Sequence, residues 1–402
     1  MHCRPLSVLA ARIVSITVLL AVTPAFSVAA NTATRATPKL KIALQHTLDA
    51  YLKDRGVAEH FSALSMSVSL APDQPTMNFT AGTIRYRAGA AVTPTSLYQI
   101  GSNTKAFTAV AVLQLEAQGR LSIDAPIGRY LPQYPAYAKL TLRQLLSMTG
   151  GIESYDNTPV WNRSYPSDPM ADVSTDTLIR YIYPKFITTP GTTYHYCNTG
   201  YLLAQEVVAA RAKSKNFAME IARIAASVGL RHTYYTSHLY PKPIAERVVA
   251  GYYENDDPGF GKFLGKDVSG FSLSWAQGAG SIVSTPADLV AWARAMYQGT
   301  TLLPAKQKAE LLSLVSTKTA KSIPDVTSAE PSGFGLGVAK KYASGMGAFW
   351  FYQGETLGFR AAHLYFPESG LVIAMFVNSR PVEANSQLQQ LFKSVYAVIT
   401  AG

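Results

Sequence analysis

The spacing of apolar residues predicts a definite order of helices and strands along the chain. Residues 40–55 carry apolar side chains at helical intervals. Two strand-like segments follow at residues 63–70 and 77–87, with turn-forming prolines between them. A helix is then predicted from Ser102 to Gly119. The N-terminal part therefore favours a helix, two strands and a second helix.

The middle of the chain differs from both ends. Short helical patterns alternate there with loops, at residues 140–147, 175–183, 202–212 and 287–297. Strand patterns and a closing amphipathic helix then follow, at residues 333–340, 348–352, 359–366, 371–378 and 386–399. Because strands lie at both ends of the sequence, the pattern predicts an α+β fold. One antiparallel sheet would be flanked by the terminal helices and would carry an inserted, mainly helical lobe.

We place the two lobes by these patterns within one domain, residues 31–402. The α/β lobe is expected at about residues 40–130 and 331–402, and the helical lobe at about residues 131–330. The sequence contains no internal repeat that would indicate further domains.

Residues 1–30 have the layout of a secretory signal peptide. Arg4 and Arg12 precede an apolar run at residues 13–22, and small residues at 27–30 offer a cleavage site. The alternative is an uncleaved membrane anchor, but the run is shorter than the roughly 20 apolar residues that span a bilayer. The sequence therefore predicts export to the periplasm or the medium of a bacterium.

Composition narrows the class of protein. The chain has 402 residues and is 48% hydrophobic and 15% charged, with a formal charge of +11 and two cysteines. These values exclude a disordered chain and a disulfide-stapled miniprotein, and leave a globular protein with one large domain or two lobes. Cys197 is the only thiol outside the predicted signal peptide, so no internal disulfide is expected. The basic residues form no run, which argues against nucleic-acid binding.

One segment carries candidate nucleophilic chemistry. Ser102 and Lys105 form a Ser-x-x-Lys at the start of a predicted helix, and a spacing of three residues places both side chains on one face. A serine hydroxyl needs a neighbouring base, and a desolvated lysine can supply one. The alternative is a helix-capping serine beside an exposed lysine. His-Glu-x-x-His, Walker A and Gly-x-Ser-x-Gly motifs are absent, so zinc-hydrolase, phosphate-loop and α/β-hydrolase sites are not indicated.

Further motifs in a fixed order carry a family resemblance. Tyr196-Cys197-Asn198 follows the segment 145–152 and precedes the segment 278–289. With Ser-x-x-Lys, this order resembles the serine β-lactamase and penicillin-binding-protein family, in its class C-like branch, over roughly residues 40–400. The resemblance implies four roles: acylated nucleophile for Ser102, base for Lys105, proton relay for Tyr196, and binding of the acyl side chain for Asn198.

The two residues on either side of Tyr196 are expected to have structural rather than catalytic roles. His195 would face away from Tyr196 if this stretch is extended. Cys197 is interpreted as a small packed residue rather than a nucleophile.

The third motif of the family is altered. Tyr352-Gln353-Gly354, followed by Glu355, aligns with the family's Lys-Thr-Gly or His-x-Gly triplet. Gly354 keeps the glycine that lets backbone approach a ligand. The resemblance implies an oxyanion hole made by the backbone N–H groups of Ser102 and Glu355, which side-chain substitution does not remove. Tyr352 can donate a hydrogen bond, but a cationic contact for a substrate carboxylate is lost unless Arg360 supplies it.

The expected function is therefore that of a serine hydrolase acting on an ester or amide of a small-molecule or peptide acyl substrate, including one from the cell wall. No metal or organic cofactor is required, and no membrane span remains after signal cleavage. An esterase-like substrate is favoured. The alternatives are a DD-peptidase or D-amino-acid amidase, a class C-type β-lactamase, and an inactive cell-wall-binding homologue. The sequence leaves open whether Lys105 or Tyr196 is the acylation base, and it does not indicate the oligomeric state.

Overall fold

The computed structural model describes residues 35–401. The predicted signal peptide at residues 1–30, with Cys3, therefore lies outside the described residues. Along the described part of the chain, no helix combines the length and the apolar character needed to cross a bilayer.

A ten-stranded antiparallel sheet forms the centre of the fold, in the order β3-β2-β1-β14-β13-β12-β11-β10-β8-β9. The fifteen strands of the described residues are β1 (Ala63–Ser69), β2 (Met77–Arg85), β3 (Ala88–Ala91), β4 (Tyr98–Gln99), β5 (Tyr234–Tyr235), β6 (Tyr252–Glu254), β7 (Ile282–Ser284), β8 (Leu314–Ser316), β9 (Ser322–Ile323), β10 (Ser332–Phe334), β11 (Ala339–Ala343), β12 (Gly347–Glu355), β13 (Arg360–Tyr365), β14 (Val372–Val377) and β15 (Ser379–Pro381). The N-terminal strand β1 pairs with the C-terminal strand β14, Leu64 opposite Val377. The α+β fold predicted from strands at both ends is thus confirmed.

Two details of the sheet differ from the sequence prediction. The segment predicted as one strand at 333–340 is two strands, β10 and β11, because Gly337 takes a positive φ of 77° and turns the chain between them. The sheet also takes in β8 and β9, which precede residue 331.

The helices cover both faces of the sheet. In chain order they are α1 (Pro38–Arg55), α2 (Thr104–Ala117), α3 (Leu142–Leu146), α4 (Pro159–Ser167), α5 (Thr175–Arg180), α6 (Asn198–Arg211), α7 (Phe217–Ser227), α8 (Lys242–Ala245), α9 (Gln277–Gly280), α10 (Pro286–Tyr297), α11 (Ala305–Leu311) and α12 (Leu388–Thr400). The terminal helices α1 and α12 pack together on one face, in a core that includes Leu44, Leu48 and Val395. Both present an apolar stripe to the sheet, as an amphipathic helix must.

Helix α2 lies in a second core on the opposite side of the sheet. It is buried along almost its whole length and contacts α6, α7, α9 and α11. Phe107 stacks on Trp292 of α10 with ring centroids 3.7 Å apart, and α10 packs on β1, β13 and β14. A helix buried all round is held rigidly, so the residues at its N-terminus are fixed relative to the sheet.

Candidate active site

A tight turn presents Ser102 between β4 and α2. Residues Gly101–Asn103 form a 3₁₀ turn, and α2 begins at Thr104. Gly101 has a φ of 49°, and a Cβ built on it would lie 2.6 Å from the backbone N of Glu355. A Cβ on Gly354 would lie 1.9 Å from the Ile100 carbonyl oxygen and 2.7 Å from the Ser102 N. Glycine at both positions therefore lets β12 lie against the turn, which brings the Ser102 and Glu355 amides close together.

Three of the sequence-predicted residues meet at the Ser102 hydroxyl. Tyr196 Oη lies 2.6 Å and Lys105 Nζ lies 2.9 Å from Ser102 Oγ. Lys105 is fully buried and also donates to the Ala279 carbonyl over 2.9 Å. Tyr196 is 40% exposed and faces the cleft. The hydroxyl therefore has two groups within hydrogen-bond reach that can take up its proton, one buried and one open to a substrate.

The carbonyl that orients Lys105 is itself fixed by a buried network. Thr108 Oγ1 donates to the Gly278 carbonyl over 2.6 Å, and the Gly278 N–H donates to Gln205 Oε1 over 2.7 Å. Both bonds hold the short helix α9, whose Ala279 oxygen accepts from the lysine. The position of the ammonium group is thus set by α2, α6 and α9 together.

A second buried network lies beneath the nucleophile turn and was missed by the sequence reasoning. Asn103 Nδ2 donates to the carbonyls of Ile100 and Ala361 over 3.0 and 2.9 Å. Its Oδ1 lies 2.9 Å from His363 Nδ1, and His363 Nε2 lies 3.1 Å from Tyr297 Oη. Burial lowers the pKa of His363 to about 3. The neutral ring therefore donates from Nδ1 to the amide oxygen and accepts the tyrosine proton at Nε2.

Asn198 is held at the start of α6 with its amide turned toward an acidic residue. Its backbone N–H donates to Ser154 Oγ over 2.8 Å, and its Nδ2 donates to Asp156 Oδ2 over 2.7 Å. Asn198 Oδ1 is buried and has no hydrogen-bond partner among the described residues. In the amide expected to hold an acyl side chain, the nitrogen is thus already engaged by Asp156.

The two residues that flank Tyr196 contact Glu153 and do not contact the Ser102 hydroxyl. His195 Nε2 pairs with Glu153 Oε1 over 2.9 Å. Cys197 is buried, its Sγ lies 3.4 Å from the Glu153 carbonyl oxygen, and burial raises its pKa to about 12. A thiol with so high a pKa is protonated at neutral pH and packs as a small apolar group.

The residues of the altered third motif lie partly in the core and partly on the cleft. Tyr352 is buried, its ring packs on Phe334 with centroids 6.0 Å apart, and its hydroxyl lies next to that of Tyr196. Burial raises the pKa of Tyr352 well above its usual value. Gln353 and Glu355 instead line the cleft, with Gln353 Nε2 donating to Glu355 Oε1 over 2.6 Å. The structure therefore buries Tyr352 beside Tyr196 and places Glu355 on the cleft wall.

The Ser102 hydroxyl opens into a cleft of about 610 Å³. One part of its wall is aromatic and apolar, formed by Tyr155, Trp161, Phe260, Trp275, Pro258 and Leu357. The charged side chains that line it are Asp156, Asp257, Glu355 and Arg380. No three His, Cys, Asp or Glu side chains between residues 35 and 401 form a group suited to holding a metal ion.

The cation in this cleft is Arg380 rather than Arg360. Arg360 is 1% exposed and pairs with buried Glu59 over 2.8 Å, outside the cleft. Arg380 lies in β15, and its guanidinium pairs with Asp257 and, over 3.3 Å, with Glu355. Burial alone would lower the pKa of Arg380, but the two carboxylates outweigh it and raise the pKa. Nothing in the sequence around Arg380 distinguishes it, because its partners are distant along the chain.

Comparisons with known proteins agree with this architecture. Protein flp of Staphylococcus aureus (strain COL) is 32% identical over 113 residues, which are 27% of this chain and 22% of that protein. The putative penicillin-binding protein PbpX of Bacillus subtilis (strain 168) is 40% identical over 62 residues, which are 15% of this chain and 16% of that protein. The matches thus span less than a quarter of the length of either curated relative.

Solved structures resemble the chain over most of its length. The D-amino acid amidase from Ochrobactrum anthropi SV3, in complex with D-phenylalanine, gives a TM-score of 0.74 at 24% identity, covering 90% of this chain and 100% of that one. The D-alanine carboxypeptidase AmpC from Burkholderia cenocepacia gives 0.67 at 19% identity, covering 90% and 99%. At these identities the likeness shows the fold alone. A family model described as Beta-lactamase matches residues 55–394, and the chain therefore belongs to the β-lactamase family.

Proposed function

We propose that this protein is an exported serine hydrolase that cleaves an ester or amide through an acyl-enzyme on Ser102. The observation that carries the proposal is the pair of contacts at the Ser102 hydroxyl, with Lys105 Nζ at 2.9 Å and Tyr196 Oη at 2.6 Å. A helix-capping serine beside an exposed lysine would not bury the lysine fully. This geometry also speaks against an inactive binding homologue, which has no need of a buried amine at its serine.

Acylation follows from the positions of these groups. Ser102 Oγ attacks the substrate carbonyl as its proton passes to a neutral Lys105 amine or a Tyr196 phenolate. The backbone N–H groups of Ser102 and Glu355 would stabilise the negative charge that develops on the carbonyl oxygen. The bond to the leaving group then breaks, and the leaving atom takes a proton from Tyr196, the partner that faces the cleft.

Deacylation uses the same groups in reverse. A water molecule loses a proton to Tyr196 or Lys105 and attacks the acyl carbon, again with the oxyanion held by the two amides. The bond to Ser102 Oγ breaks, the serine regains its proton, and the free acid leaves. Every step uses side chains and backbone groups of this chain.

The charges in the cleft favour substrates without a carboxylate. Arg380 is occupied by Asp257 and Glu355, and Arg360 lies outside the cleft. A carboxylate on the substrate would therefore meet acidic side chains without a free cation to pair with. β-Lactams and D-alanyl-D-alanine peptides both carry such a group. We accordingly favour an esterase-like activity over β-lactamase and DD-peptidase activity.

An amidase acting on an amino-acid amide is the second candidate. Tyr196 lies 2.6 Å from the nucleophile and 40% exposed, so it can protonate an amine leaving group as well as an alcohol. An amino-acid amide also lacks the carboxylate that the cleft disfavours. The D-amino acid amidase that shares the fold acts on substrates of this class.

A parallel rate comparison tests the proposal. The substrates are a short-chain nitrophenyl ester, an amino-acid amide, a chromogenic cephalosporin and a D-Ala-D-Ala peptide, each tested with the wild type and with Ser102→Ala. We expect turnover of the ester or the amide, faster than of the two carboxylate-bearing substrates, and its loss in Ser102→Ala. Ser313→Ala, at an exposed serine outside the cleft, is the matched control and should retain activity. Equal hydrolysis by Ser102→Ala would contradict the proposal.

Export is tested separately by the mass of the mature protein. Expressed in a bacterium from its own start, the chain should appear in the periplasm or medium without its first 30 or so residues. A full-length protein that stays in the cell would show that residues 1–30 are no signal peptide.

A further inference from the structure

The part of the cleft beside α6 holds a carboxylate that pairs with an amide rather than with a cation. A carboxylate only accepts, so the contact between Asp156 Oδ2 and the Asn198 side chain over 2.7 Å requires the amide nitrogen to face Asp156. Asn198 Oδ1 then remains as a buried acceptor without a partner among the described residues. We call Asp156 and Asn198 together the acceptor corner. The Asn198 amide is thus fixed in one orientation, and Asp156 is the member of this pair that can accept from a ligand in the cleft.

Asp156 also differs from the other carboxylates of the cleft. Asp257 and Glu355 both pair with Arg380. Between residues 35 and 401, no Lys, Arg or His forms an ion pair with Asp156, whose protein partners are the Ser154 hydroxyl and the Asn198 amide. It therefore keeps an uncompensated negative charge in the cleft that contains Ser102.

Aromatic rings border the acceptor corner. Tyr155 precedes Asp156 in the chain, and its ring lies edge-on to Trp161 with centroids 5.7 Å apart. Trp161 in turn lies 5.5 Å from Trp275 and 6.3 Å from Phe260, and all four rings line the cleft. Such a wall takes up apolar or aromatic side chains, and aromatic faces also attract a cation.

We propose that the acceptor corner binds the ammonium group of the substrate's acyl part. The substrate class is then an ester or amide of an amino acid that has a free α-amine and an apolar or aromatic side chain. The ammonium donates to the Asp156 carboxylate, and the side chain packs on the aromatic wall. This inference rests on the proposed acyl-enzyme function of Ser102, and it makes Asp156 a specificity-determining residue for that reaction.

The first test changes only the substrate, so it uses the wild-type protein. The anilide of phenylalanine, in D and L forms, is compared with the N-acetylated anilide and with the anilide of 3-phenylpropanoic acid, which lacks the amine. We expect kcat/KM to fall about 10- to 100-fold when the ammonium is removed, as for loss of a charge-assisted hydrogen bond. Equal kcat/KM for the free-amine and deaminated substrates would overturn the proposal.

The second test changes the corner. Asp156→Asn keeps the size of the side chain and an acceptor for Asn198 but removes the charge. It should reduce the preference for the free-amine substrate, measured as the ratio of its kcat/KM to that of the deaminated substrate, to near parity. Asp168→Asn, at an exposed carboxylate outside the cleft, is the matched control and should keep the wild-type preference. A preference that Asp156→Asn leaves unchanged would assign the ammonium to another group and overturn the proposal.

Binding to Ser102→Ala separates this inference from the proposed function. Phenylalanine amide and 3-phenylpropanamide are titrated into that variant by calorimetry, where no turnover occurs. We expect the amine-bearing ligand to bind about 10-fold or more tightly than the other. If that preference is present but no substrate is hydrolysed through Ser102, the proposed function fails and the acceptor corner stands. If hydrolysis depends on Ser102 but the preference is absent, only the acceptor corner fails.

Discussion

A serine hydroxyl attacks a carbonyl at neutral pH only when a neighbouring group takes its proton. Here Lys105 is buried behind Ser102, while Tyr196 stands in front of it, on the cleft side. The buried amine donates to the Ala279 carbonyl and lies 2.9 Å from Ser102 Oγ, so its position does not depend on bound substrate. At the scale of single residues, the site is therefore held ready before a substrate binds.

Removing the Tyr196 hydroxyl should abolish most of the activity at little cost to the fold. We expect Tyr196→Phe to lower kcat/KM by about 100- to 10,000-fold, the usual contribution of a positioned acid or base. Because Tyr196 is 40% exposed, the melting temperature of the variant should stay close to that of the wild type. Tyr342→Phe, at a tyrosine with a similar exposure of 36%, is the control. Steady-state kinetics that show near-wild-type turnover by Tyr196→Phe would remove this residue from the mechanism.

The buried His363 should give the protein a characteristic loss of stability in mild acid. Burial lowers its pKa to about 3, whereas an unfolded histidine titrates near 6.5. Between these pH values the unfolded chain binds one more proton than the folded chain. The free energy of unfolding should therefore fall with pH below 6.5, by about 1.4 kcal/mol per unit from this residue, and should be unaffected by it above 6.5.

Urea unfolding of the wild type and His363→Gln between pH 7 and pH 4 measures this effect. The substitution should lower stability at pH 7, and the curve of the variant should fall less steeply than that of the wild type below pH 6.5. Parallel curves would show that His363 is protonated in the folded protein as readily as in the unfolded one.

Local spacing made some residues of the site predictable and concealed others. Ser102 and Lys105 are three residues apart on one helix face, and the family resemblance added Tyr196 and Asn198 through their short motif. Asn103 meets His363 across 260 residues, and Arg380 meets Asp257 across 123 residues. No spacing rule reports such contacts, because only the folded sheet brings those residues together.

The site depends on the close packing of strand β12 against the turn that carries Ser102. Gly354 has no room for a Cβ, which would lie 1.9 Å from the Ile100 carbonyl oxygen. Both groups are backbone, so neither can move without moving its strand or turn. The placement of the Glu355 amide relative to Ser102 is therefore a property of how two elements pack.

Gly354→Ala should consequently disturb both catalysis and stability. We expect the strand to shift away from the turn, with a loss of at least about 100-fold in kcat from the displaced oxyanion donor. Overpacking should also cost about 1–3 kcal/mol of stability. Gly270→Ala is the matched control, because its Cβ would meet nothing within 4 Å. Kinetics and thermal unfolding of both variants check this, and wild-type activity in Gly354→Ala would contradict the oxyanion assignment.

Long elements with a strong pattern were predicted well, and short ones less so. The terminal helices, β1, β2, β13 and β14 occur where the apolar spacing placed them. The prediction of a single strand at residues 333–340 was wrong because the alternation of apolar and small residues continues through the turn at Gly337. A Cβ on Gly337 would lie 2.8 Å from the Lys105 carbonyl oxygen. That glycine is set by contact with α2, which a local pattern does not contain.

The charge of the whole molecule and the charge of its cleft have opposite signs. The chain carries a formal charge of +11, yet three carboxylates and one guanidinium line the cleft. Net charge therefore reports the surface, while substrate choice follows from the few groups near Ser102.

Freeing the cleft cation should change the preference for charged substrates. Glu355→Gln leaves Arg380 with Asp257 alone, so the guanidinium can contact a substrate carboxylate. We expect the ratio of kcat/KM for a chromogenic cephalosporin to that for a nitrophenyl ester to rise about 10-fold. An unchanged ratio would show that the Arg380 network does not disfavour carboxylates. Asp168→Asn serves here too as the control for loss of a carboxylate elsewhere.

Trapping of the acyl-enzyme tests the role of Ser102 most directly. The protein is mixed with a nitrophenyl ester or an amino-acid ester, quenched in acid within milliseconds to seconds, and weighed intact and after proteolysis by mass spectrometry. We predict an added mass equal to the acyl group, located on the peptide that contains Ser102 and absent from Ser102→Ala. Turnover without any acylated Ser102, or an equal added mass on Ser102→Ala, would contradict the proposed role of Ser102 as the acylated nucleophile.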